Sequence, residues 1–297
     1  MSATATAPRP AFIQDGYVEE FRERGYCILR GVFNPAEIAE LKQAFDRTYA
    51  EGMRHHATWR HQNRLMWVLE HPKVGRYVSG CQWQSWVDPV LDRVRTDPRM
   101  LAILKPLIGD HLNQIINQMH WKTPGTDQNW PLHQDVRSRT PAHSFRELAT
   151  SYVQTGLAID RHWAGNGAMK ILPGSQRRGN LGIEGIAKGP MDDRVEAIRT
   201  VGQDPKQLID VEMEEGDVAL WGPYLIHGGG INTTVDNQRR LYINGYVTAA
   251  NCDRGQPVFH HGEPLPLRIP AMVQFEELHA RPDPHYPSDR ASTLQRD

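Results

Sequence analysis

From about residue 112 onward the sequence breaks into short apolar runs, and this series is the feature that most restricts the fold. Gly, Pro and Asp separate the runs, as in Pro173-Gly174-Ser175 and Glu215-Gly216-Asp217, which are typical of tight turns. Several runs alternate apolar and polar residues, the pattern of half-buried strands. The predicted strands are Leu112 to Met119, Tyr152 to Ile159, Met169 to Leu172, Leu208 to Met213, Val218 to Trp221 and Leu241 to Val247.

Helices are predicted ahead of these strands. The pattern indicates a first helix over Asp15 to Arg24 and a short strand over Tyr26 to Leu29. A second helix has a strong start signal, because Asn34 can cap it and Pro35 suits the first helical position. A further helix is predicted over Pro98 to Leu107. Helices followed by many short strands favour an α+β domain with a mainly β core, built as an antiparallel barrel or sandwich.

Charge and cysteine content narrow the class of protein. The 34 Lys and Arg nearly balance the 35 Asp and Glu, so the net charge of −1 gives no reason to expect a nucleic-acid partner or an anionic membrane. No apolar run approaches the ~20 residues that span a bilayer. Only three cysteines occur, which argues against a disulfide framework and predicts a reducing, cytoplasmic location.

The chain is long enough for one large domain with a substantial core. We expect residues 1–11 to form a flexible N-terminal tail and residues 12–250 to form a single domain. The segment 251–297 is rich in Pro, His and Arg without clear periodicity. It is therefore predicted to be an irregular segment packed on the domain.

One short motif pairs a histidine with a carboxylate. His133 and Asp135 are two residues apart, so on an extended backbone both side chains point to the same side and can bind one ion. The spacing alone is weak, because a chain with 14 histidines should contain about one such pair by chance. His261-Gly262-Glu263 has the same form.

A third potential ligand and a potential anion clamp follow later in the chain. His227 stands between the run that ends at Trp221 and three consecutive glycines, which permit a close approach of backbone or ligand. Arg239 and Arg240 open the last predicted strand, and an arginine on a rigid strand can bind a carboxylate with two parallel hydrogen bonds. Two histidines and one carboxylate with open coordination positions suit iron(II) better than structural zinc.

An ordered series of segments resembles the phytanoyl-CoA dioxygenase family. The resemblance extends from about Gly25 to Val247, and its segments together are far more specific than any one alone. They are Lys122-Thr-Pro-Gly125, Pro131-Leu-His-Gln-Asp135, Ala158-Ile-Asp160, Asn166-Gly167, Ile171-Leu-Pro-Gly-Ser175, Glu215-Gly-Asp-Val-Ala-Leu-Trp221, His227-Gly, Asn232 and Arg239-Arg240.

The resemblance implies a double-stranded β-helix, the cupin-like jelly roll, with iron(II), 2-oxoglutarate and O2 as cofactor and cosubstrates. By position, the metal ligands and catalytic residues would be His133, Asp135 and His227. Two further residues, Arg239 and Lys122, would bind 2-oxoglutarate, with Arg240 as an alternative clamp because the spacing differs by one residue. Gly229 stands where relatives often have a serine that touches the cosubstrate.

The implied activity is oxidation of an unactivated C–H bond of a small-molecule metabolite, with release of succinate and CO2. Because Asp135 is a carboxylate rather than a small residue, the resemblance favours hydroxylation or another oxidation over halogenation. Desaturation, epimerisation and ring formation use the same three ligands, so the sequence does not separate them from hydroxylation. The basic residues after the metal motif, Arg137, Arg139, His143 and Arg146, are either a solvated surface or a site for an acidic group of the substrate. Of these, Arg137 is the substrate-binding candidate, and Trp130 is a candidate pocket wall.

Two other classes of protein remain compatible with the residues alone. One is a cupin-like metal-dependent isomerase or hydrolase without 2-oxoglutarate, which would need a further metal ligand and no carboxylate clamp. The other is a non-catalytic barrel that binds a small molecule. The sequence does not indicate the oligomeric state.

Overall fold

The computed structural model describes residues 12–61, 64–139, 141–182, 196 and 198–267. The predicted N-terminal tail lies outside this part of the chain. The helices are α1 (Tyr17–Arg24), α2 (Pro35–Met53), α3 (Pro89–Arg95), α4 (Pro98–Ile108) and α5 (Leu148–Ser151). The strands are β1 (Tyr26–Leu29), β2 (Trp59–His61), β3 (Arg64–His71), β4 (Gly75–Gln82), β5 (Leu112–Lys122), β6 (Trp130–His133), β7 (Tyr152–Ala158), β8 (Met169–Ile171), β9 (Ile209–Asp210), β10 (Val218–Trp221), β11 (His227–Gly229), β12 (Arg239–Thr248), β13 (Gln256–His260) and β14 (Glu263–Pro264).

The start of α2 confirms the capping prediction. The side-chain oxygen of Asn34 accepts hydrogen bonds from the amides of Ala36 and Glu37 at 2.9 and 3.0 Å. The Glu37 carboxylate accepts the Asn34 amide in return at 2.8 Å. This exchange satisfies amides that have no partner inside the helix. The helix then packs its apolar face on the large sheet, where Phe45 lies 5.0 Å from Trp121 between ring centroids.

The described part of the chain contains two antiparallel sheets. The large sheet has the order β1-β10-β7-β12-β5-β4-β3-β2, and the small sheet has the order β6-β11-β8-β9. Residues from both sheets share one apolar core, with Trp221, Leu241 and Ile243 of the large sheet packed with Met169 and Ile171 of the small one. This two-sheet arrangement confirms the predicted jelly-roll core.

Side-chain alternation on β12 separates the two faces of the large sheet. Leu241 and Ile243 point into the core shared by the sheets, whereas Tyr242 and Tyr246 point to the core beneath the helices. The period of two along a strand produces this division. It also decides which residues of β5, β7 and β12 can reach the interior of the jelly roll.

The prediction for the C-terminal segment is wrong in part. Within 251–297 the structure contains β13, which pairs with β5, and β14, which pairs with β13. Because β13 contains Pro257 and has a register shift beside it, its sequence gives little strand signal, and pairing with β5 stabilises it. No helix in the described ranges has the length and apolar character needed to cross a bilayer.

Candidate metal centre

Two histidines face each other across the small sheet. Strands β6 and β11 are antiparallel, and their register places His133 directly opposite His227. Directly opposed residues of an antiparallel pair project from the same face. The two imidazole rings therefore lie close together, with 4.3 Å between their centroids.

A carboxylate completes the group. Asp135 opens the 3-10 turn that follows β6, and its two oxygens lie 3.6 Å from Nε2 of His133 and 3.7 Å from Nε2 of His227. The indole N–H of Trp221 donates a hydrogen bond of 3.0 Å to the same carboxylate. We call His133, Asp135 and His227 the candidate triad.

Hydrogen bonds fix the tautomers of both histidines. Nδ1 of His133 lies 2.8 Å from the carbonyl oxygen of Pro131, and Nδ1 of His227 lies 3.0 Å from that of Leu225. Since a carbonyl only accepts, each Nδ1 carries the hydrogen and each Nε2 keeps its lone pair. This arrangement orients metal-binding histidines.

The candidate triad fits a single divalent ion. One ligand atom from each residue lies within 4.8 Å of the others. Burial lowers the pKa of His227 to about 4, so its imidazole is neutral at pH 7. Burial acts to raise the pKa of Asp135, but the neighbouring His227, His133 and Arg139 outweigh it and hold that pKa below its usual range. A neutral imidazole and an ionised carboxylate are the forms that bind a metal, and this donor set suits iron(II).

A pair of buried cations lies at the adjoining end of the large sheet. Arg239, the first residue of β12, is the register partner of Lys122, the last residue of β5. Their exposed fractions are 3% and 1%. Burial lowers the pKa of Arg239 to about 10, which leaves it charged at pH 7.

Arg239 keeps part of its hydrogen-bonding capacity unused. Nη2 donates to the carbonyl oxygen of Gly167 at 2.9 Å, and its buried Nε has no acceptor among the described residues. Lys122 donates from Nζ to the carbonyl oxygen of Gln128 at 2.8 Å. Two adjacent buried cations, one with an unsatisfied donor, form an environment that attracts an anion.

The Arg240 side chain points to the opposite face of the large sheet, where it is paired with two carboxylates. Nε and Nη2 of Arg240 donate to Asp160 at 2.9 and 2.8 Å, and Nη1 donates to Asp46 at 2.8 Å. These contacts belong to the side of the sheet covered by the helices. The sequence left open which of the two arginines is the clamp. In the structure Arg239 lies beside the triad, whereas Arg240 is held in ion pairs.

The glycines after His227 allow β11 to pass close to β6. A Cβ atom on Gly228 would lie 2.8 Å from the backbone oxygen of Trp130, which is closer than such contacts occur. A Cβ atom on Gly229 would lie 3.3 Å from Nζ of Lys122. Gly229 thus leaves space next to the buried lysine, where a serine side chain would press on the ammonium group.

The two substrate candidates have different surroundings. The ring of Trp130 stacks on His120, with centroids 5.1 Å apart and planes 16° apart, and Trp67 lies at 6.3 Å from His120. Burial lowers the pKa of His120 to about 3, so this imidazole is neutral and part of the wall. Arg137, in contrast, is exposed on the 3-10 turn.

The prediction from sequence missed two polar residues beside the triad, Trp221 and His120, and did not single out Arg139 within the basic segment. His120 precedes Lys122 by two residues on β5, so strand alternation indicates that it shares the face of Lys122. Trp221 could have been found in the same way, as the last residue of a predicted strand. Arg139 stood in a basic cluster without a signal for burial, yet its exposed fraction is 4%.

We compared the chain with family models, with the sequences of known proteins and with solved structures. Residues 21–241 match the family model described as Phytanoyl-CoA dioxygenase (PhyH). The chain is 25% identical to dioxygenase lolE1 of Epichloe uncinata over 85% of this chain and 88% of that protein. It is 21% identical to peroxisomal phytanoyl-CoA dioxygenase of Homo sapiens over 78% of this chain and 67% of that protein. The structure of EctD from S. alaskensis with 2-oxoglutarate and 5-hydroxyectoine has a similar fold, with a TM-score of 0.61, 19% identity, and coverage of 91% and 89% of the two chains.

Proposed function

The chain belongs to the phytanoyl-CoA dioxygenase family, and from that premise we propose that it hydroxylates an unactivated C–H bond of a small-molecule metabolite. Family membership makes the protein a non-haem iron dioxygenase that depends on 2-oxoglutarate and O2. Bound iron(II) supplies the activation of O2, coupled to conversion of 2-oxoglutarate to succinate and CO2. The residues proposed to hold the ion are His133, Asp135 and His227.

The convergence of the candidate triad beside a buried, partly unsatisfied arginine is the observation that carries this proposal. The triad contributes three protein ligands, which leaves further coordination positions for the cosubstrates. Arg239 is charged, buried and has a free Nε donor among the described residues, so we propose that it binds the distal carboxylate of 2-oxoglutarate. Lys122, one strand away in register, would add a second contact.

The surrounding side chains have supporting roles in this proposal. Trp221 orients the Asp135 carboxylate through its indole N–H. Trp130, stacked on neutral His120, forms an apolar wall that helps to exclude water and orient a substrate. Gly229 leaves the space that the Lys122 ammonium group and Trp130 share.

Hydroxylation is the outcome we favour because Asp135 supplies a carboxylate ligand and so leaves no coordination position vacant for a halide. The charged, partly unsatisfied Arg239 argues against a cupin-like isomerase or hydrolase that works without 2-oxoglutarate. The three cysteines, Cys27, Cys81 and Cys252, are buried and free, which suits a reaction in a reducing cytoplasm.

A spectroscopic experiment tests the proposal directly. Anaerobic protein with iron(II) and 2-oxoglutarate should show the weak visible charge-transfer band of that chelate, and His227→Ala should abolish it. With O2 and a metabolite mixture, succinate should form in step with the loss of one metabolite and the appearance of a product heavier by one oxygen. Absence of the band in the intact protein would contradict the assignment of the site, and a product without added oxygen would contradict hydroxylation.

A further inference from the structure

Arg139 is a buried cation whose two side-chain hydrogen-bond partners are both neutral. Its exposed fraction is 4%, and its Nη2 donates to the Tyr152 hydroxyl at 2.6 Å and to Oε1 of Gln154 at 3.3 Å. Burial raises the pKa of the Tyr152 phenol, so this partner carries no charge. Within the described ranges no carboxylate lies within 4.0 Å of the guanidinium, and Asp135 interacts with it only through its charge. A charge removed from water is costly unless counter-charges offset it closely.

One hydrogen-bond donor of the same guanidinium is also unsatisfied. The buried Nε of Arg139 has no acceptor in the described part of the chain. A buried donor without a partner destabilises the folded protein. An anionic oxygen would supply the missing acceptor and a counter-charge in direct contact.

The local contacts hold the guanidinium in a fixed plane. Its carbon lies 4.8 Å above the centroid of the Tyr152 ring, and the Tyr152 hydroxyl in turn donates to Gln154. The Arg139 side chain is therefore held from one edge and one face. Because Nη2 is occupied, the buried Nε is held in a fixed direction as a donor for a carboxylate oxygen.

Arg139 lies on the inner wall of the jelly roll. Tyr152 and Ala158, on alternate positions of β7, pack in the core shared by the two sheets, so Gln154 between them faces the same interior. The Tyr152 hydroxyl lies over Gly245 of β12, where an added Cβ would be 2.6 Å away. Arg139 itself follows Asp135 by one 3-10 turn. The guanidinium thus belongs to the interior next to the candidate triad.

The buried cations around the site divide between two positions. Arg239 and Lys122 are register partners on β12 and β5, where we propose that 2-oxoglutarate binds. Arg139 contacts Tyr152 and Gln154 of β7 instead. Its Nε is therefore available to a molecule other than the proposed cosubstrate.

We propose that Arg139 binds a carboxylate of the substrate, so that the enzyme acts on an organic acid. This inference rests on the proposed function and assigns the class of molecule that enters the site. Tyr152 and Gln154 position the guanidinium, and the substrate carboxylate accepts from Nε. Buried Arg139 takes the role that the sequence suggested for the exposed Arg137.

The test compares matched acids and amides in the protein loaded with iron(II) and 2-oxoglutarate without O2. The probes are hexanoate, 3-phenylpropanoate, 4-phenylbutanoate and 3-cyclohexylpropanoate, each with its primary amide. Their dissociation constants are read from the change of the visible band. At least one acid should bind about 10- to 100-fold more tightly than its amide, the range of a charged hydrogen bond. Arg139→Gln should remove that preference, and Arg139→Lys should keep part of it.

Arg146→Gln is the matched control, because Arg146 is exposed and paired with Asp253 at 2.7 Å. It should retain the preference for the acid. If no acid is preferred in the wild-type protein, or if the preference survives in Arg139→Gln or disappears only in Arg137→Gln, the inference is overturned. In each case the visible band itself still reports on the proposed function separately. If Arg139→Gln fails to fold, an unchanged acid preference in Arg139→Lys also overturns it, since a lysine has no donor at the position of Nε.

Discussion

Among the described residues, two groups of three bring ligand atoms within 4.8 Å of one another, and their surroundings differ. One is the candidate triad. The other, which we call the surface histidine group, consists of His111, His260 and His261. The ring centroids of its members are 4.6 to 4.9 Å apart, close to the 4.3 Å between His133 and His227. Proximity of imidazoles therefore does not distinguish the two.

The surroundings of the imidazoles distinguish the two groups. In the candidate triad, backbone carbonyls hold each Nδ1 and Trp221 holds the carboxylate. In the surface group, His260 and His261 are exposed, and among the described residues no hydrogen bond fixes a ring nitrogen. The nearby carboxylate of Asp110 is paired with Lys105 at 2.7 Å. The difference teaches that orientation and an available carboxylate, more than spacing, make a metal site.

The largest expected effect comes from removing one histidine from each group. His227→Ala should lower the affinity for iron(II) by more than about 100-fold, because a directly coordinating ligand is lost. The double variant His260→Ala/His261→Ala should change the affinity by less than about twofold. Anaerobic titration with iron(II) in the presence of 2-oxoglutarate measures both. Equal losses of iron(II) affinity in the two variants would contradict the distinction between the candidate triad and the surface histidine group.

A second, smaller effect separates the two adjacent arginines. Arg239→Gln should raise the KM for 2-oxoglutarate by about 30-fold or more, as expected when a buried charged contact to a carboxylate is lost. Arg240→Gln should leave that KM nearly unchanged and lower the stability, since it breaks the pair with Asp160. Initial rates of succinate formation and urea unfolding midpoints distinguish the two outcomes. A raised KM in Arg240→Gln alone would reverse the proposed roles.

The orienting hydrogen bond to Asp135 can be removed without touching a ligand. Trp221→Phe should weaken iron(II) binding by about 10-fold, at the low end for a residue that orients a metal ligand. Trp86→Phe is the control, because the Trp86 indole N–H has no partner among the residues described. Titration followed at the visible band gives both affinities. If the two variants bind iron(II) alike, the hydrogen bond does not contribute to the difference between the triad and the surface group.

The smallest effect concerns pH and a buried histidine outside both groups. Burial holds the pKa of His162 well below its ordinary value, so the folded protein keeps it neutral. The unfolded chain gains a proton there below about pH 6.5, and stability is therefore lost as the pH falls below that value. His162→Gln should reduce this loss by about 1 kcal/mol between about pH 7.5 and about pH 5.5. Exposed His143, changed to Gln, should reduce it by much less. Urea unfolding at the two pH values is the measurement.

Local sequence signals predicted a large part of this structure. The cap at Asn34 and the strands Tyr26–Leu29 and Val218–Trp221 are set by turn chemistry and periodicity, and they lie where expected. The strand β13 depends instead on its partner β5, and a local pattern contains no information about that pairing.

In the site, too, some residues could be predicted from local sequence and others depend on the assembled fold. The ordered motifs identified the residues that the fold brings into the candidate triad, because their spacing is a property of the chain. Burial is a property of the assembled sheets. Arg137 and Arg139 are two residues apart in one basic segment, and only the packing against Tyr152 and Gln154 makes one of them interior. The choice between Arg239 and Arg240 likewise depended on which face of β12 meets Asp160.

The hydrogen bond between Trp221 and Asp135 also has a mechanical consequence. Trp221 belongs to β10 of the large sheet, whereas Asp135 follows β6 of the small sheet. The hydrogen bond thus links the two sheets of the jelly roll. If an ion bound by the candidate triad restrains the carboxylate, it also restrains the acceptor of this hydrogen bond, so loading the site should damp the opening motions of both sheets together. Amide hydrogens of β10 and β11 should then exchange with solvent more slowly, even though these strands share no backbone pairing.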